Sequence, residues 1–367
     1  MDRRSFLTTT LGLSIGACAA PATHAAPAPL SADERAGTIA ALRPPRRARP
    51  VVAVLGAPHG AETTDLIIPY AVLRASGLAE VVVVSPSGAI VPLMPALNVR
   101  PQMEIAAFDA RWPKGADYVI VPAMHRPDDA VVLDWIRMQS KAGALVCGIC
   151  AGALVLSQAG LIAGRSATTH WFRIGELQRA NPTMQWVRDR RFVIDRGVAT
   201  TTGVSASMPF ALALVEAIGG PVAASSVAAR LGVQTWGADH DSAAFSLSGD
   251  ALWTAARNRA THWPLDRIGI PVADGVDEAA LALVSDIYSS TFRSQAFAIA
   301  DSAAPIKTRL GLELVPTASA GMTRVLPPLG DATPLAALNA ALSDIKTRYG
   351  HSTARLAALM LEYSWSG

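Results

Sequence analysis

Cys150 is the residue whose type and setting most clearly suit it for chemistry. It lies in Gly148-Ile149-Cys150-Ala151-Gly152, between an apolar run and a helix-forming one. Glycines on both sides permit a sharp strand-to-helix turn that strains the middle residue and presents its side chain at the carboxyl end of a sheet. Unpaired N–H groups at a helix N-terminus favour a thiolate over a thiol. The pattern predicts an exposed nucleophile of lowered pKa; a buried strand cysteine is the alternative.

The other two cysteines, Cys18 and Cys147, are not predicted to take part in this chemistry. Cys147 completes a C-x-x-C spacing with Cys150, but it falls within the strand, so its side chain is expected to point into the sheet packing. Oxidation of Cys150 alone, to sulfenic or sulfinic acid, fits better. Three cysteines also exclude a disulfide framework and a four-ligand zinc site.

The elements that must position Cys150 form an alternating pattern from Val51 onward. Short β-branched runs alternate with amphipathic segments, which predicts an α/β fold with a doubly wound, mainly parallel sheet. The predicted strands are Val51–Leu55, Val81–Ser85, Tyr118–Val121, Ala144–Gly148, Phe192–Asp195 and Ala199–Thr202. The predicted helices are Asp65–Ser76, Ala130–Ala142, Gly152–Ala159, Phe172–Ala180, Ser205–Ile218 and Val222–Leu231, the last two separated by Gly219-Gly220-Pro221.

A first domain is therefore expected over residues 51–235, followed by a C-terminal α/β region over 236–367. The segment 268–315 repeats the order strand, helix, strand found in 51–99, which suggests a partial duplication. Any two βαβ units look alike, so the alternative is coincidence. The second unit has no counterpart of the Cys150 segment, and catalysis is not expected there. The chain ends in predicted helices at Pro334–Tyr349 and Ser352–Tyr363.

The run from Cys150 to Trp171 and the segment Gly203-Val-Ser-Ala-Ser resemble the ThiJ/PfpI superfamily of class I glutamine amidotransferase-like proteins, which have a flavodoxin-like sheet. The resemblance covers about residues 51–230. It is nearest to the branch that includes isonitrile hydratase and the amidotransferase-like sensor halves of AraC-type regulators. It implies the fold but does not identify a substrate.

The resemblance also implies partners for the elbow cysteine. Asp65 occupies the position of the family's acidic residue, where a carboxyl group can orient the thiol or transfer protons. Asp65 also suits a helix N-cap, and the two roles can coexist. Glu62 is a second carboxylate of the pocket, expected at a loop surface.

His170 matches the family's histidine near the cysteine, either as a base or hydrogen-bond partner or as a structural or pocket-lining residue beside Trp171. His125 is expected to line the same crevice. No metal-ligand spacing accompanies these histidines, so no metal site is predicted.

The expected oxyanion donors are backbone N–H groups. One is that of Ala151, directly after the nucleophile. The family commonly has Pro-Gly-Gly after the third strand, whereas this chain has Pro122-Ala123-Met124. Ala123 and Met124 take that place without the freedom of glycine. Efficient acyl transfer is accordingly in doubt.

The N-terminal 50 residues read as export and spacing segments. Residues 1–26 carry Arg3-Arg4 before an apolar stretch too short to span a bilayer, which resembles a twin-arginine signal, with an ordinary secretory leader as the alternative. A bacterial periplasmic or exterior location follows. Cys18 could alternatively carry a lipid anchor. Residues 27–50 are expected to be an extended, solvated linker rich in proline and arginine.

Composition limits the partners. Of 367 residues, 51% are hydrophobic, so a large core is expected. The formal net charge of +3 arises from the leader and linker, and no clustered basic face for nucleic acid is evident. A small molecule is the expected partner, without a cofactor or a transmembrane segment, and the sequence leaves a homodimer open.

Two functions remain at this point. The first is an exported cysteine-dependent hydrolase or hydratase of a small molecule that uses Cys150 as nucleophile. The second is a ligand-binding or sensing domain without turnover, of the kind found in regulator-like proteins. Transcriptional control is disfavoured, because the C-terminal region reads as βαβ and the leader predicts export.

Overall fold

The computed structural model describes residues 27–44, 46–261, 264–302 and 304–367. The predicted export signal and Cys18 lie outside the described residues. The β-strands are β1 (Val51–Leu55), β2 (Ala61–Glu62), β3 (Glu80–Ser85), β4 (Val91–Met94), β5 (Leu97–Arg100), β6 (Met103–Glu104), β7 (Tyr118–Val121), β8 (Leu145–Gly148), β9 (Ser166–Ala167), β10 (Gln185–Trp186), β11 (Phe192–Asp195), β12 (Val198–Thr201), β13 (Asp266–Pro271), β14 (Ser294–Ala300), β15 (Ile306–Lys307), β16 (Glu313–Leu314), β17 (Thr317–Ala318) and β18 (Arg324–Val325). The α-helices are α1 (Ala32–Ala41), α2 (Thr63–Ser76), α3 (Ile105–Arg111), α4 (Ala130–Lys141), α5 (Gly152–Gln158), α6 (Ile174–Ala180), α7 (Ser207–Leu231), α8 (Gly249–Thr261), α9 (Glu278–Ser289), α10 (Pro334–Tyr349) and α11 (His351–Met360).

The central sheet has the order β11-β12-β8-β7-β1-β3-β6, and it is parallel except for β11, which runs antiparallel to β12. Its middle strands are buried along their whole length because helices cover both faces, which explains their near-continuous valine and isoleucine content. Strand order reverses between β1 and β7. The carboxyl edge at such a switch point is where doubly wound folds form a crevice, and the Cys150 segment leaves β8 beside it. The predicted fold class is confirmed.

The C-terminal part has its own parallel sheet, in the order β17-β14-β13-β18, and is joined to the first part by a shared five-stranded sheet, β15-β16-β5-β4-β2. Within that sheet β16 runs antiparallel to β5, pairing Leu314 with Val99. Helix α9 packs against α2, and the Tyr70 hydroxyl of α2 donates to the Leu310 carbonyl at 3.1 Å. The two predicted regions, 51–235 and 236–367, are thus tied by backbone pairing as well as by apolar contact.

The suggested duplication remains a prediction. Both units are parallel βαβ arrangements: β1 pairs with β3 around α2, and β13 pairs with β14 around α9. Of the predicted second-unit strands, Ala296–Ile299 lies within β14, whereas Gly311–Val315 contains the shorter β16.

The expectation of an extended, solvated linker over residues 27–50 is wrong. Helix α1 lies within it and is begun by a capping box between Ser31 and Glu34. This helix contacts α7, and Leu42 just beyond it is fully buried, with its carbonyl accepting from the Tyr118 hydroxyl at 2.6 Å. Arg47 pairs with buried Asp117 at 2.6 Å. The segment is therefore fastened to the body.

The predicted break after residue 218 is present, because α7 loses helical geometry at Gly220, with φ 83° and ψ 174°. Among the described residues, Val204–Leu231 is the stretch whose length and apolarity would allow it to cross a membrane. That is weak evidence for a span, since a core helix has the same properties, and the first turns of α7 are buried against α2.

Ionisation of Glu278 destabilises the folded protein in a pH-dependent way. Its carboxyl group is buried at the start of α9, and one of its oxygens lacks a hydrogen-bond partner among the described residues. Burial raises its pKa from an ordinary 4.5 to about 7, and nearby Asp277 adds to the rise. The folded protein therefore binds this proton more tightly than the unfolded chain does. The destabilisation is absent below about pH 4.5 and complete above about pH 7.

We expect Glu278→Gln to raise the free energy of unfolding by about 2 kcal/mol at pH 8 and to leave it nearly unchanged at pH 4.5. Urea titrations at the two pH values measure this. Glu313→Gln is the control, because Glu313 is half exposed and should change stability by less than about 1 kcal/mol at either pH. A variant less stable than the parent protein at pH 8 would contradict the expectation.

Candidate active site

Cys150 occupies a strained turn between β8 and α5. Its φ is 54°, in the left-handed region that residues other than glycine rarely adopt. Gly152 makes the turn possible, because a Cβ there would overlap the Val121 carbonyl oxygen. Gly148 is similarly restricted, since a Cβ would lie 2.9 Å from the Leu156 side chain. The predicted strand-turn-helix geometry is therefore present.

Two threonines hold the backbone of this turn. The Cys150 N–H donates to Thr201 Oγ1 at 2.9 Å, and Thr169 Oγ1 donates to the Cys150 carbonyl at 2.9 Å. Both threonines are buried, so these hydrogen bonds are shielded from water. The cysteine's backbone conformation is thus specified by Thr201 of β12 and by Thr169, just after β9, as well as by its flanking glycines.

The expectation of an exposed thiol with a lowered pKa is wrong. Cys150 is only 6% exposed. Burial raises the pKa of its thiol well above the ordinary value, and the charges of Asp65, Glu62 and Glu362 raise it further. The Ala151 N–H lowers the pKa by hydrogen bonding to the sulfur, but it does not outweigh the burial. The resting group is a neutral thiol in an acidic pocket.

Cys147 is fully buried within β8, and burial raises the pKa of its thiol as well. Both Cys147 and Cys150 are free thiols. The prediction that the Cys147 side chain lies in the sheet packing is confirmed.

Glu62 and Asp65 are placed at the start of α2, and their roles differ from the sequence expectation. Glu62 is the N-cap, since its carboxylate accepts from the Asp65 N–H at 2.6 Å and from Thr64 Oγ1 at 2.8 Å. Glu62 is 4% exposed, so a loop-surface position is wrong. Asp65 lies in the first turn and is not the cap. Its side chain is fully buried and acts electrostatically on Cys150.

The loop after β7 does not offer the backbone donor that was expected from Ala123. The Ala123 N–H donates to Asp65 Oδ2 at 3.1 Å, so that donor already serves the carboxylate. Met124 is buried and bridges to Ala61, and the His125 ring packs where a Cβ of Gly60 would lie. The loop therefore positions Asp65.

His170 is held by backbone groups at both ring nitrogens. Nδ1 accepts from the Phe172 N–H at 3.2 Å, and Nε2 lies 3.2 Å from the Met360 carbonyl, as an N–H donor would. The ring is 5.4 Å from that of Trp171. This arrangement favours a structural role over a catalytic one, and it ties the elbow region to the C-terminus of α11.

Glu362 was missed by sequence reasoning. It follows α11, has a positive φ of 53°, and its carboxylate accepts from the N–H groups of Trp171 and Gly203, each at 2.8 Å. Its side chain is fully buried and contributes to the raised pKa of Cys150. No local pattern marks this residue, because its partners lie 191 and 159 positions earlier in the chain.

Two cationic or titratable groups beside the elbow were also missed. Arg173 interacts electrostatically with Cys150 and pairs with Glu176 at 2.6 Å. His240 is buried with Nε2 3.7 Å from Glu362 Oε2, and desolvation lowers its pKa despite that carboxylate. Arg173 was detectable in principle, since it lies two residues after the Cys150–Trp171 run. Across the described ranges, no group of three or more acidic, cysteine or histidine side chains has an arrangement suited to a metal ion.

The site combines a buried cysteine on a left-handed elbow with an acidic helix start, at the carboxyl edge of a doubly wound sheet. This combination defines a class of α/β proteins. Residues 51–217 match the model of the DJ-1/PfpI family. This part of the chain is a DJ-1/PfpI-family domain.

Individual relatives match over shorter stretches. The regulator CdhR of Pseudomonas aeruginosa, named as an HTH-type transcriptional regulator, is 35% identical over 117 residues, which are 31% of this chain and 34% of that protein. Isonitrile hydratase of Pseudomonas putida is 36% identical over 105 residues, which are 28% of this chain and 44% of that protein. The matches thus span less than half of these two relatives.

Among solved structures, Drosophila melanogaster DJ-1β is 26% identical and covers 51% of this chain and 99% of its own, with a TM-score of 0.45.

Replacing Gly152 tests the elbow. We expect Gly152→Ala to lower the free energy of unfolding by about 3 kcal/mol, because the new methyl group would overlap the Val121 carbonyl. Gly175→Ala is the control: its Cβ would meet nothing within 4 Å, and alanine in α6 should stabilise by up to about 1 kcal/mol. Denaturant titration measures both, and equal stability of the two variants would refute the steric account.

Proposed function

We propose that this chain is a cysteine-dependent hydratase or hydrolase of a small, electrophilic molecule. The observation that carries the proposal is a thiol on a strained elbow with three carboxyl groups acting on it. The relative named isonitrile hydratase supports addition to an electrophilic carbon as the reaction class. No cofactor is required for such an addition.

The route of proton transfer is inferred from the charges around the thiol. The Cys150 sulfur forms a bond to the electrophilic carbon while its proton passes to a carboxylate, for which Asp65 is the proposed acceptor. Asp65 then returns the proton to the adduct. Water adds to the same carbon, the C–S bond breaks, and the sulfur recovers a proton, so the net change in a hydration is the addition of one water. The Ala151 N–H, which hydrogen bonds to the sulfur, is the proposed donor that stabilises negative charge at or beside it.

A non-catalytic ligand-binding domain is the second candidate. Burial of Cys150 and the raised pKa of its thiol favour it, because a neutral, covered thiol is a weak nucleophile. The relative named as a transcriptional regulator also favours it. The two candidates differ in one measurable respect: replacing Cys150 abolishes turnover in the first, whereas no turnover exists to abolish in the second.

We further propose export through the twin-arginine route, on the basis of Arg3-Arg4 and the apolar stretch that follows. Changing both arginines to lysine is expected to hold the precursor in the cytoplasm, whereas the parent protein fractionates with the periplasm or medium. Immunoblotting of cell fractions measures this. Unchanged export of the double variant would indicate an ordinary secretory leader, and an acylated mature N-terminus would indicate a lipid anchor at Cys18.

Alkylation and turnover test the enzyme proposal together. Cys150 should react with substoichiometric iodoacetamide faster than Cys147, because Cys147 is fully covered. Since the pKa of Cys150 is raised, its rate should keep increasing above pH 8. Asp65→Asn removes one cause of that raised pKa while keeping an oxygen for the Ala123 N–H. Its alkylation at pH 8 should therefore accelerate, by about a factor of ten if the pKa falls by one.

Turnover should respond in the opposite direction. On a panel of isonitriles, amides and aldehydes, Cys150→Ala should abolish activity without unfolding the protein, and Asp65→Asn should reduce kcat by about a hundredfold or more. Cys147→Ala serves as the control and should retain activity. Equal labelling of the two cysteines, or activity that survives in Cys150→Ala, would count against the proposal.

A further inference from the structure

An open groove of about 680 Å³ lies on the C-terminal part, between α8, α11 and residues 363–366. Its volume is in the range of small-molecule sites. Cys150, Glu62, Asp65 and Glu362 are all described by the structure, and none of them lines this groove. The groove is therefore separate from the candidate active site.

Helices α8 and α11 run antiparallel along the groove. Near the end of α8, Asn258 Nδ2 donates to Thr353 Oγ1 at 3.1 Å, close to the start of α11. Ahead of α8, Phe245 stacks on His240, whose Nε2 lies 3.7 Å from Glu362 just after α11. One end of the groove is therefore at the start of α11, and the other is at the start of α8.

The end at the start of α11 is cationic. Arg257 of α8 and Arg355 of α11 both line the groove, and both are exposed. Arg355 has no hydrogen bond or ion pair with any described residue. The Lys346 ammonium adds positive charge at this end, since it lies 5.9 Å from the ring centre of Trp365, which packs beside His351 in the groove wall. Guanidinium groups on two facing helices suit a carboxylate, whose two oxygens match their paired N–H donors.

The end at the start of α8 is acidic. Asp250 lies in the first turn of that helix, lines the groove and is exposed. Within the described ranges its carboxylate forms no ion pair or hydrogen bond. Arg257 is seven positions further along the same helix, on the same face, so the helical rise places the two residues about 10 Å apart along the axis. The groove thus presents opposite charges at its two ends.

Trp253 lines the groove between these two ends. It is 69% exposed, and its indole makes no ring contact or hydrogen bond in the part of the chain that the structure describes. Tryptophan is usually far more buried, because covering an indole removes a large apolar area from water. An apolar group held midway between the two charges would cover this ring.

We infer that this groove binds a short zwitterionic peptide. Its carboxylate pairs with Arg355 and Arg257, its terminal ammonium pairs with Asp250, and a central apolar side chain lies against Trp253. An extended chain rises about 3.3–3.6 Å per residue, so a peptide of about three residues spans the distance between the charges. A ligand with a single charge would use only one end of the groove. The site goes beyond the proposed reaction at Cys150 and is formed entirely by the C-terminal part.

The tripeptide Ala-Phe-Ala is the probe, titrated against the full chain by saturation-transfer NMR. Its N-acetylated and C-amidated forms are the analogues, since each lacks one of the two charges. We expect saturable binding of the free tripeptide and about fivefold weaker binding of each analogue, which is the effect of losing one exposed ion pair. Binding of the free tripeptide should also weaken in about 1 M salt, because exposed charges are screened there.

Variants at the two ends should change different preferences. Arg355→Gln should weaken the free tripeptide about fivefold and reduce its advantage over the amidated form, whereas Asp250→Asn should reduce its advantage over the acetylated form. A merely structural effect would not separate the two analogues in this way. Arg179→Gln and Asp33→Asn are the matched controls, because they remove exposed charges outside the groove and should leave both preferences unchanged.

Two further variants complete the test. Trp253→Ala should weaken Ala-Phe-Ala more than Ala-Gly-Ala, and Cys150→Ala should bind the tripeptide as the parent protein does even if all turnover is lost. The inference is overturned by any of four results. These are no saturable binding up to the solubility of the tripeptide, equal affinity for the free tripeptide and either capped form, unaltered affinity and preference in the Arg355 and Asp250 variants, or loss of binding in Cys150→Ala.

Discussion

The left-handed backbone of Cys150 is the constraint on which the rest of the site depends. Its φ of 54° is unfavourable for any residue with a Cβ, so the fold must hold it there. The close approach of Gly152 to the Val121 carbonyl allows the turn, and the hydrogen bond from the Cys150 N–H to Thr201 Oγ1 maintains it. The position of the sulfur relative to the acidic start of α2 follows from this turn.

Negative charge accumulates around that sulfur, and the structure offsets it with backbone donors more than with cations. Glu62 accepts from the start of α2, Asp65 from Ala123, and Glu362 from Trp171 and Gly203. Hydrogen bonds of this kind satisfy a buried carboxylate without neutralising it. The thiol therefore remains in a field that opposes its ionisation, and this is why proton transfer to a carboxylate suits the site better than a standing thiolate.

The sequence was sufficient for the scaffold and for part of the site. Strands β1 and β7 lie where their β-branched runs predict them, because burial on both faces leaves a strong local signal. The strained turn was predictable from two glycines. The burial of Cys150 was not predictable, since it depends on how distant segments pack over the elbow. The capping box of α1 was visible in Ser31 and Glu34 but was outweighed by the surrounding prolines.

The functional residues that escaped prediction share a physical origin. Glu362 and His240 reach the elbow from the C-terminal part, and long-range contacts of this kind leave no periodicity or spacing in the chain. The loop after β7 was also misjudged, because the pairing of Ala123 with Asp65 is a tertiary contact.

The hydrogen bonds of Glu362 to distant residues have a consequence for folding during synthesis. Trp171 and Gly203 receive their acceptor only after the ribosome has added nearly all of the described chain. A nascent DJ-1/PfpI domain would hold its elbow with these two N–H groups still unpaired, so its last packing step must wait until Glu362 has been synthesised. Such late closure of distant contacts slows folding and lengthens the interval in which the half-built pocket is open to water and to chaperones.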